Sequence, residues 1–320
     1  SNAGLQTAAL FAGGHQGNPP PNQNTADTEQ WNGTNWTEVN NLNTAGEHRN
    51  NTGTSTSALA YGGNGPPYLA QTELWNGTNW VEQNDLSTAR SNSGKAGSTA
   101  NALAVTGYNG SNLANVEAWT AAGAPIGAWS TGASMNTGRN ALAGAGTYTS
   151  SIAVAGQAPP GTPAQVTNTE LYDGTSWTEV NDINSPARFN LAGAGVSSTS
   201  AIVFGGNYPS ALALTETWNG TNWTEVNDLT TARQKVMGSG TQTSALCYGG
   251  APGAKNETEL WNGTNWTEVN NLNTARQHGA GMGADNTSAL ACGGYAPPGY
   301  QSVTELWNGT NWTEVNDLND

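Results

Sequence analysis

The chain has 320 residues, a net charge of −14 and only 10% charged side chains, with 42 Gly and 13 Trp. Three Lys and six Arg supply no basic stripe for phosphates, so nucleic acid is not an expected partner. No apolar run approaches the roughly 20 residues that cross a bilayer as a helix, so no membrane insertion is expected, and Gly, Asn, Thr and Ser disfavour helix throughout.

Residues 1–3, Ser-Asn-Ala, read as a remnant of tag removal. Beyond them, apolar runs close at Gly13-Gly14, Gly62-Gly63, Gly205-Gly206, Gly249-Gly250 and Gly293-Gly294, with degenerate versions at Thr106-Gly107 and Ala155-Gly156. Each is followed by an aromatic residue, at positions 31, 75, 119, 172, 218, 261 and 307. A Trp then follows at 36, 80, 129, 177, 223, 266 and 312. Residues 258–270 (TELWNGTNWTEVN) recur letter for letter at 304–316. An alternating run, an Asn-Gly turn and a second run opened by Trp predict a β-hairpin. The aromatic positions are separated by 44, 44, 53, 46, 43 and 46 residues. Such a period with strand chemistry marks propeller blades. The Asn-Gly-Thr triplets at Asn32, Asn76, Asn219, Asn262 and Asn308 match glycosylation sequons, but the turn accounts for them fully.

The Gly-His and Trp-Asp pairs of WD40 repeats are absent. The order diglycine, aromatic, Trp resembles the kelch family of β-propellers over nearly the whole chain. The wording WNGTNWTEVN followed by DLTTAR or NLNTAR is also similar to repeats of virion and tail-fibre proteins of marine bacteriophages and of some environmental bacterial proteins. The resemblance implies an all-β fold, a seven-bladed kelch-like β-propeller with four-stranded antiparallel blades at about 4–43, 44–87, 88–136, 137–184, 185–230, 231–273 and 274–320. The Gly- and Ala-rich first strand, RQHGAGMG in the last blade, is the innermost in that family. Only six such strands are legible, opening near His48, Arg90, Arg139, Arg188, Arg233 and Arg276. The first blade is therefore expected to lack most of its inner strand, as in a piece cut from a longer repeat array.

The repeats let blades be compared position by position. Turns between strands one and two and between three and four hardly vary, whereas the two-to-three connections do not repeat. They read HQGNPPPNQNTAD, NGPPYLAQ, YNGSNLAN, QAPPGTPAQVTN, NYPSALAL, APGAKNE and YAPPGYQSV, and alternation places all seven on one face. Tyr68, Tyr108, Tyr208, Tyr295 and Tyr300 in these loops are the candidate ligand-binding residues, since Tyr stacks and also hydrogen-bonds. Drift in tolerant loops is the competing explanation. The blade around Trp119 carries TAAGAPIGA in place of the usual turn, either a docking loop or a decayed repeat.

His48 and His278 share one repeat position with Asn92, Ala141, Asn190 and Lys235, expected to line the central channel. No metal-ligand cluster converges there, and the copper constellation of kelch-type galactose oxidase cannot be assembled, so no metal or other cofactor is expected. Carboxylates recur in every blade, where an active site needs one asymmetric cluster, so no catalytic residues are expected. Arg90, Arg139, Arg188, Arg233 and Arg276, once per blade like the Glu of TELW, predict a repeated Arg–carboxylate contact. Two functional readings stand: a non-enzymatic recognition module for a glycan or protein receptor on a virion or extracellular surface, or a structural spacer or oligomerising platform.

Overall fold

The computed structural model describes residues 2–16, 23–121, 127–158, 165–184 and 186–318. All regular structure among them is β, in seven four-stranded antiparallel sheets whose strands pair in chain order. The repeat of blade 6 is typical: Met237–Thr241, Ser244–Tyr248, Thr258–Trp261 and Trp266–Val269. The chain divides into two compact units, residues 1–140 with 174–177 and 319–320, and residues 141–173 with 178–318.

Blade 1 corrects the sequence expectation. Asn2–Leu5 forms its inner strand, pairing with Ala8–Gln16 from Asn2↔Phe11 to Leu5↔Ala8, and Ala3 is buried. Asn2 and Ala3, read as part of a tag remnant, thus belong to the strand that completes the blade. Backbone pairing needs no signature side chain, so Ala3-Gly4-Leu5 serves as well as the Gly/Ala runs of other blades.

The inner strands are small-residue strands because successive blades approach closely there. An added Cβ at Gly193 would lie 3.2 Å from Ala143 Cβ, and one at Gly281 would lie 2.6 Å from the Tyr248 hydroxyl. The inner strands also start later than the sequence indicates. His278 has φ 58°, so the last blade's first strand begins only at Ala280, and His48, Asn92, Ala141, Asn190 and Lys235 share this left-handed turn. In the second unit these turns are laced together: Asn190 N–H donates to Ala141 O (3.0 Å), Lys235 N–H to Asn190 O (2.9 Å) and His278 N–H to Lys235 O (3.3 Å).

Core lies between neighbouring blades. Leu10 and Ala12 of blade 1 pack with Ala58, Ala60, Trp75 and Trp80 of blade 2. Six hairpins bring two Trp rings together, with centroids 5.5 Å apart in Trp75–Trp80 and 5.4 Å in Trp218–Trp223. The second Trp of a blade reaches back to the blade before it. Trp80 Nε1 donates to Thr28 Oγ1 (3.0 Å), Trp129 to Thr72 (2.9 Å), Trp266 to Thr215 (2.9 Å) and Trp312 to Thr258 (2.9 Å). A buried indole N–H left unmade costs about 1–3 kcal/mol, so these bonds hold each of these blades to the one before it. In the turns, Asn76 Oδ1 accepts from the backbone N–H of Thr78 and Asn79, both at 2.9 Å, and the other Asn-Gly turns repeat this.

Predicted Arg–carboxylate contacts form in blades 3, 5, 6 and 7 and are fully buried. Arg90–Glu117 (2.5 Å), Arg188–Glu216 (3.1 Å), Arg233–Glu259 (2.7 Å) and Arg276–Glu305 (2.5 Å) join the segment entering a blade to that blade's third strand. Arg139 is equally buried. Sequence reasoning missed a further member, Arg49–Glu73 at 3.2 Å. Burial pulls the Arg90 and Arg188 guanidinium groups below the usual arginine range, against the opposing pull of Glu117 and Glu216.

Candidate ligand-binding face

The connections between second and third strands differ in sequence, but those of blades 2 to 7 stand on a common frame. The diglycine provides it. Gly62 has φ 61°, and a Cβ there would sit 2.7 Å from Arg90 O, so the strand can leave the sheet only through glycine-like backbone. The next N–H, that of Gly63, donates to Arg90 O (2.8 Å), and Gly206 and Gly250 bond Arg233 O and Arg276 O in the same way (both 2.9 Å). The loop then folds back onto the carbonyl of that second position. Leu69 N–H donates to Gly63 O (2.9 Å), Leu113 to Gly107 (2.9 Å), Val166 to Gly156 (3.0 Å), Leu212 to Gly206 (2.8 Å), Lys255 to Gly250 (3.0 Å) and Gln301 to Gly294 (2.9 Å). A second anchor pairs the residue after the diglycine with the segment entering the blade, as in Asn64↔Glu47, Ser91↔Tyr108, Gln234↔Ala251 and Gln277↔Tyr295. All these anchors are main-chain bonds, which is why the letters can change above them.

The predicted tyrosines fall into three situations. Tyr68 of blade 2 and Tyr108 of blade 3 meet edge to face, centroids 5.9 Å apart at 83°, both half-buried. Tyr295 and Tyr300 are cross-strand partners in a two-stranded hairpin, Tyr295–Ala296 with Gly299–Tyr300, with centroids 5.5 Å apart. Tyr208 is exposed, 45%, at the tip of its own loop. Cis X–Pro bonds occur in four of the loops, at Pro66-Pro67, Tyr208-Pro209, Ala251-Pro252 and Pro297-Pro298.

Blade 1 departs from the others. Its second and third strands, Ala8–Gln16 and Gln23–Trp31, are nine residues each, against five and four in blade 2. They project as a hairpin, and the stretch 17–22 of its predicted loop lies outside the described residues. The loop end of this hairpin is tied to blade 2 by a polar network absent from sequence reasoning. His15 Nδ1 lies 3.5 Å from Glu47 Oε2, Asn24 Nδ2 donates to Asn64 O (2.6 Å), and Asn64 Nδ2 donates to Glu47 Oε1 (2.7 Å). Its partners come from three separate segments, so no local motif announces it. Residues 122–126 of the TAAGAPIGA loop and 159–164 of QAPPGTPAQVTN also lie outside the described residues. Trp129 nevertheless keeps its stack on Trp119, centroids 5.5 Å apart.

Other candidate chemistry is structural. Glu73, Glu216, Glu259 and Glu305 are each held by an arginine and by N–H groups of the entering segment, for example Asn43 N–H (2.7 Å) on Glu73. Among the described residues no group of three or more His, Cys, Asp or Glu is placed to hold a metal ion. Burial pushes the Cys247 thiol up to about 12, the opposite of an activated nucleophile. No helix of the described residues is long and apolar enough to cross a membrane.

Seven four-stranded blades on repeated inter-blade contacts define a β-propeller. Among solved structures, the structure of YjhT aligns over 86% of this chain and 98% of its own, with a TM-score of 0.63 at 11% identity, a likeness of fold alone. No protein-family model matches the chain, and no curated protein matches it.

Proposed function

We propose that this chain is a non-enzymatic recognition module, a kelch-type propeller that binds a glycan or protein receptor through the tips of its two-to-three loops, as part of a virion or other extracellular surface. One observation carries this reading. Six loops of unrelated sequence keep the same main-chain anchor, from Leu69 N–H on Gly63 O to Gln301 N–H on Gly294 O. Drift gives no reason for that pattern, whereas a binding face needs rigid support under variable tips.

The test compares the intact chain with a variant in which the tips at 65–68, 109–112 and 208–211 are replaced by Gly and Ser. Both are screened on a glycan array and an array of cell-surface proteins. Binding by the intact chain that the tip variant loses, at an unchanged melting temperature, is the expected result. Binding that survives tip replacement, or no binding on either array, leaves the structural-spacer reading in its place.

A further inference from the structure

We infer that the corner formed by Tyr68 and Tyr108 is a subsite for a neutral saccharide, an inference that rests on the recognition reading above. These two rings are the only tyrosine pair among the described residues contributed by loops of two different blades. Their perpendicular arrangement, 83°, sets two ring planes at a right angle, a two-sided apolar corner against which the C–H face of a pyranose ring can pack. The rings are half-buried, so each is held while part of it stays in water.

Amides adjoin Tyr108 on its own loop. Asn109 follows Tyr108 directly. Asn112 is bridged to Tyr108 through the backbone, and Asn140 Nδ2 donates to Asn112 Oδ1 at 2.9 Å. An amide both donates and accepts, as does a sugar hydroxyl, so the two pair without any net charge.

Charge sets the ligand class. The first unit contains Arg49, Arg90, Arg139 and Lys95 as its only lysine or arginine residues. The three arginines are buried, and Lys95 Nζ donates to Asn51 O at 2.8 Å on the inner strand Gly94–Gly97. No guanidinium or ammonium is offered to a carboxylate, sulfate or phosphate at this corner, while Glu47 stands in the neighbouring network on Asn64. An anionic sugar would meet a carboxylate and find no lysine or arginine, in a chain of net charge −14.

Saturation-transfer NMR on the full chain tests this with named probes: cellotetraose, maltotetraose, mannotriose and N-acetylchitotetraose as neutral ligands, sialyllactose and a heparin tetrasaccharide as anionic ones. The expected result is binding of at least one neutral probe with a Kd of about 0.1–1 mM, weakened about tenfold or more by Tyr68→Ala and by Tyr108→Ala. It should be unchanged by Tyr208→Ala and insensitive to added salt. Tyr68→Leu, which keeps apolar bulk but not the flat face, gives the same loss if the alanine variant fails to fold. Preferential binding of the anionic probes overturns the ligand class, and neutral binding indifferent to both corner tyrosines overturns the site. Absence of saccharide binding overturns the inference. The recognition reading itself then stands only if a protein ligand is lost on tip replacement, and it falls if none is.

Discussion

Arg49 grips Glu73 from a backbone position three residues beyond the one that the other arginines of its kind occupy. In blade 3 the guanidinium comes from Arg90, two residues before the left-handed Asn92; in blade 2 the matching position is Gly46, two before His48. Arg49 follows that turn, folds back into the space over Gly46, where its Cδ lies 3.4 Å from a notional Gly46 Cβ, and makes the same set of bonds. Its guanidinium donates to Glu73 (3.2 Å), Thr44 O (2.7 Å) and Gln71 O (3.1 Å), as that of Arg90 does to Glu117 (2.5 Å) and Asn115 O (2.8 Å).

Arg49→Ala should therefore destabilise as strongly as Arg90→Ala, by about 3–5 kcal/mol, since each leaves a buried carboxylate unpaired. Arg49→Lys should recover only part, because a compact ammonium lacks the planar fork that spreads the Arg49 donors over Glu73, Thr44 O and Gln71 O. Urea midpoints of the three variants decide it. A cost for Arg49→Ala near that of an exposed pair, under about 1 kcal/mol, would show that Glu73 is satisfied by the Asn43 and Thr44 N–H groups alone.

Two blades carry a side chain where the others carry the first glycine of the pair. Thr106 and Ala155 both have φ 57°, against 61° at Gly62 and 66° at Gly205. Left-handed backbone costs a residue with Cβ roughly 1–2 kcal/mol, and Gly gives some of this back through its freer unfolded chain. Ala155→Gly should raise stability by about 0.5–1 kcal/mol. Thr106→Gly should gain more, because the Thr106 hydroxyl is also buried without a hydrogen-bond partner. A lowered melting temperature in both variants would refute the strain.

Burial raises Tyr61 and Tyr248 well above the ordinary phenol value of 10.0. The Tyr61 hydroxyl donates to Leu103 O at 2.9 Å. A raised acid stabilises the fold fully below its unfolded value, and that contribution is lost as pH climbs above about 10 towards the folded value. Tyr61→Phe should cost about 1 kcal/mol at pH 7 and then lose less than the parent between pH 9 and 11, following Trp fluorescence in urea. Parallel pH curves for the two proteins would remove Tyr61 as a cause of alkaline unfolding.

Glu82 sits opposite Glu73 across the third and fourth strands of blade 2, and its carboxyl is raised by desolvation, then by Glu73 and Asp85. A raised carboxyl withdraws stability above its ordinary value of 4.5 and returns it on acidification. Glu82→Gln should stabilise at pH 7 by less than about 1 kcal/mol, because the group is exposed and screened. The gain should vanish below about pH 4, where parent and variant are both neutral at this position. A gain that persists in acid points to packing instead.

The repeat period, the Trp pairs and the Arg–Glu pairing were legible because each depends on a side chain that recurs at a fixed place. What was hidden has no such letter. Asn2–Leu5 completes blade 1 through backbone pairing, and Arg49 enters the arginine set by reach from a shifted position. His278 and its counterparts were read as strand residues, because a left-handed turn can be held by His, Asn, Ala or Lys alike when the neighbouring backbone fixes it. Of the five tyrosines, sequence placed all on loops, but the meeting of Tyr68 with Tyr108 depends on two blades forty residues apart in sequence.

The main-chain anchor beneath the loops has a consequence for anyone wishing to re-engineer the chain. Because Leu69 N–H on Gly63 O and its counterparts use no side-chain atoms, the residues above can be exchanged as cassettes without renegotiating the sheet below. Six sockets of one gauge have already accepted inserts as different as NGPPYLAQ and APGAKNE. A library randomised at 65–68 and 109–111 would sample new surfaces on a chassis whose fit does not depend on what is plugged in.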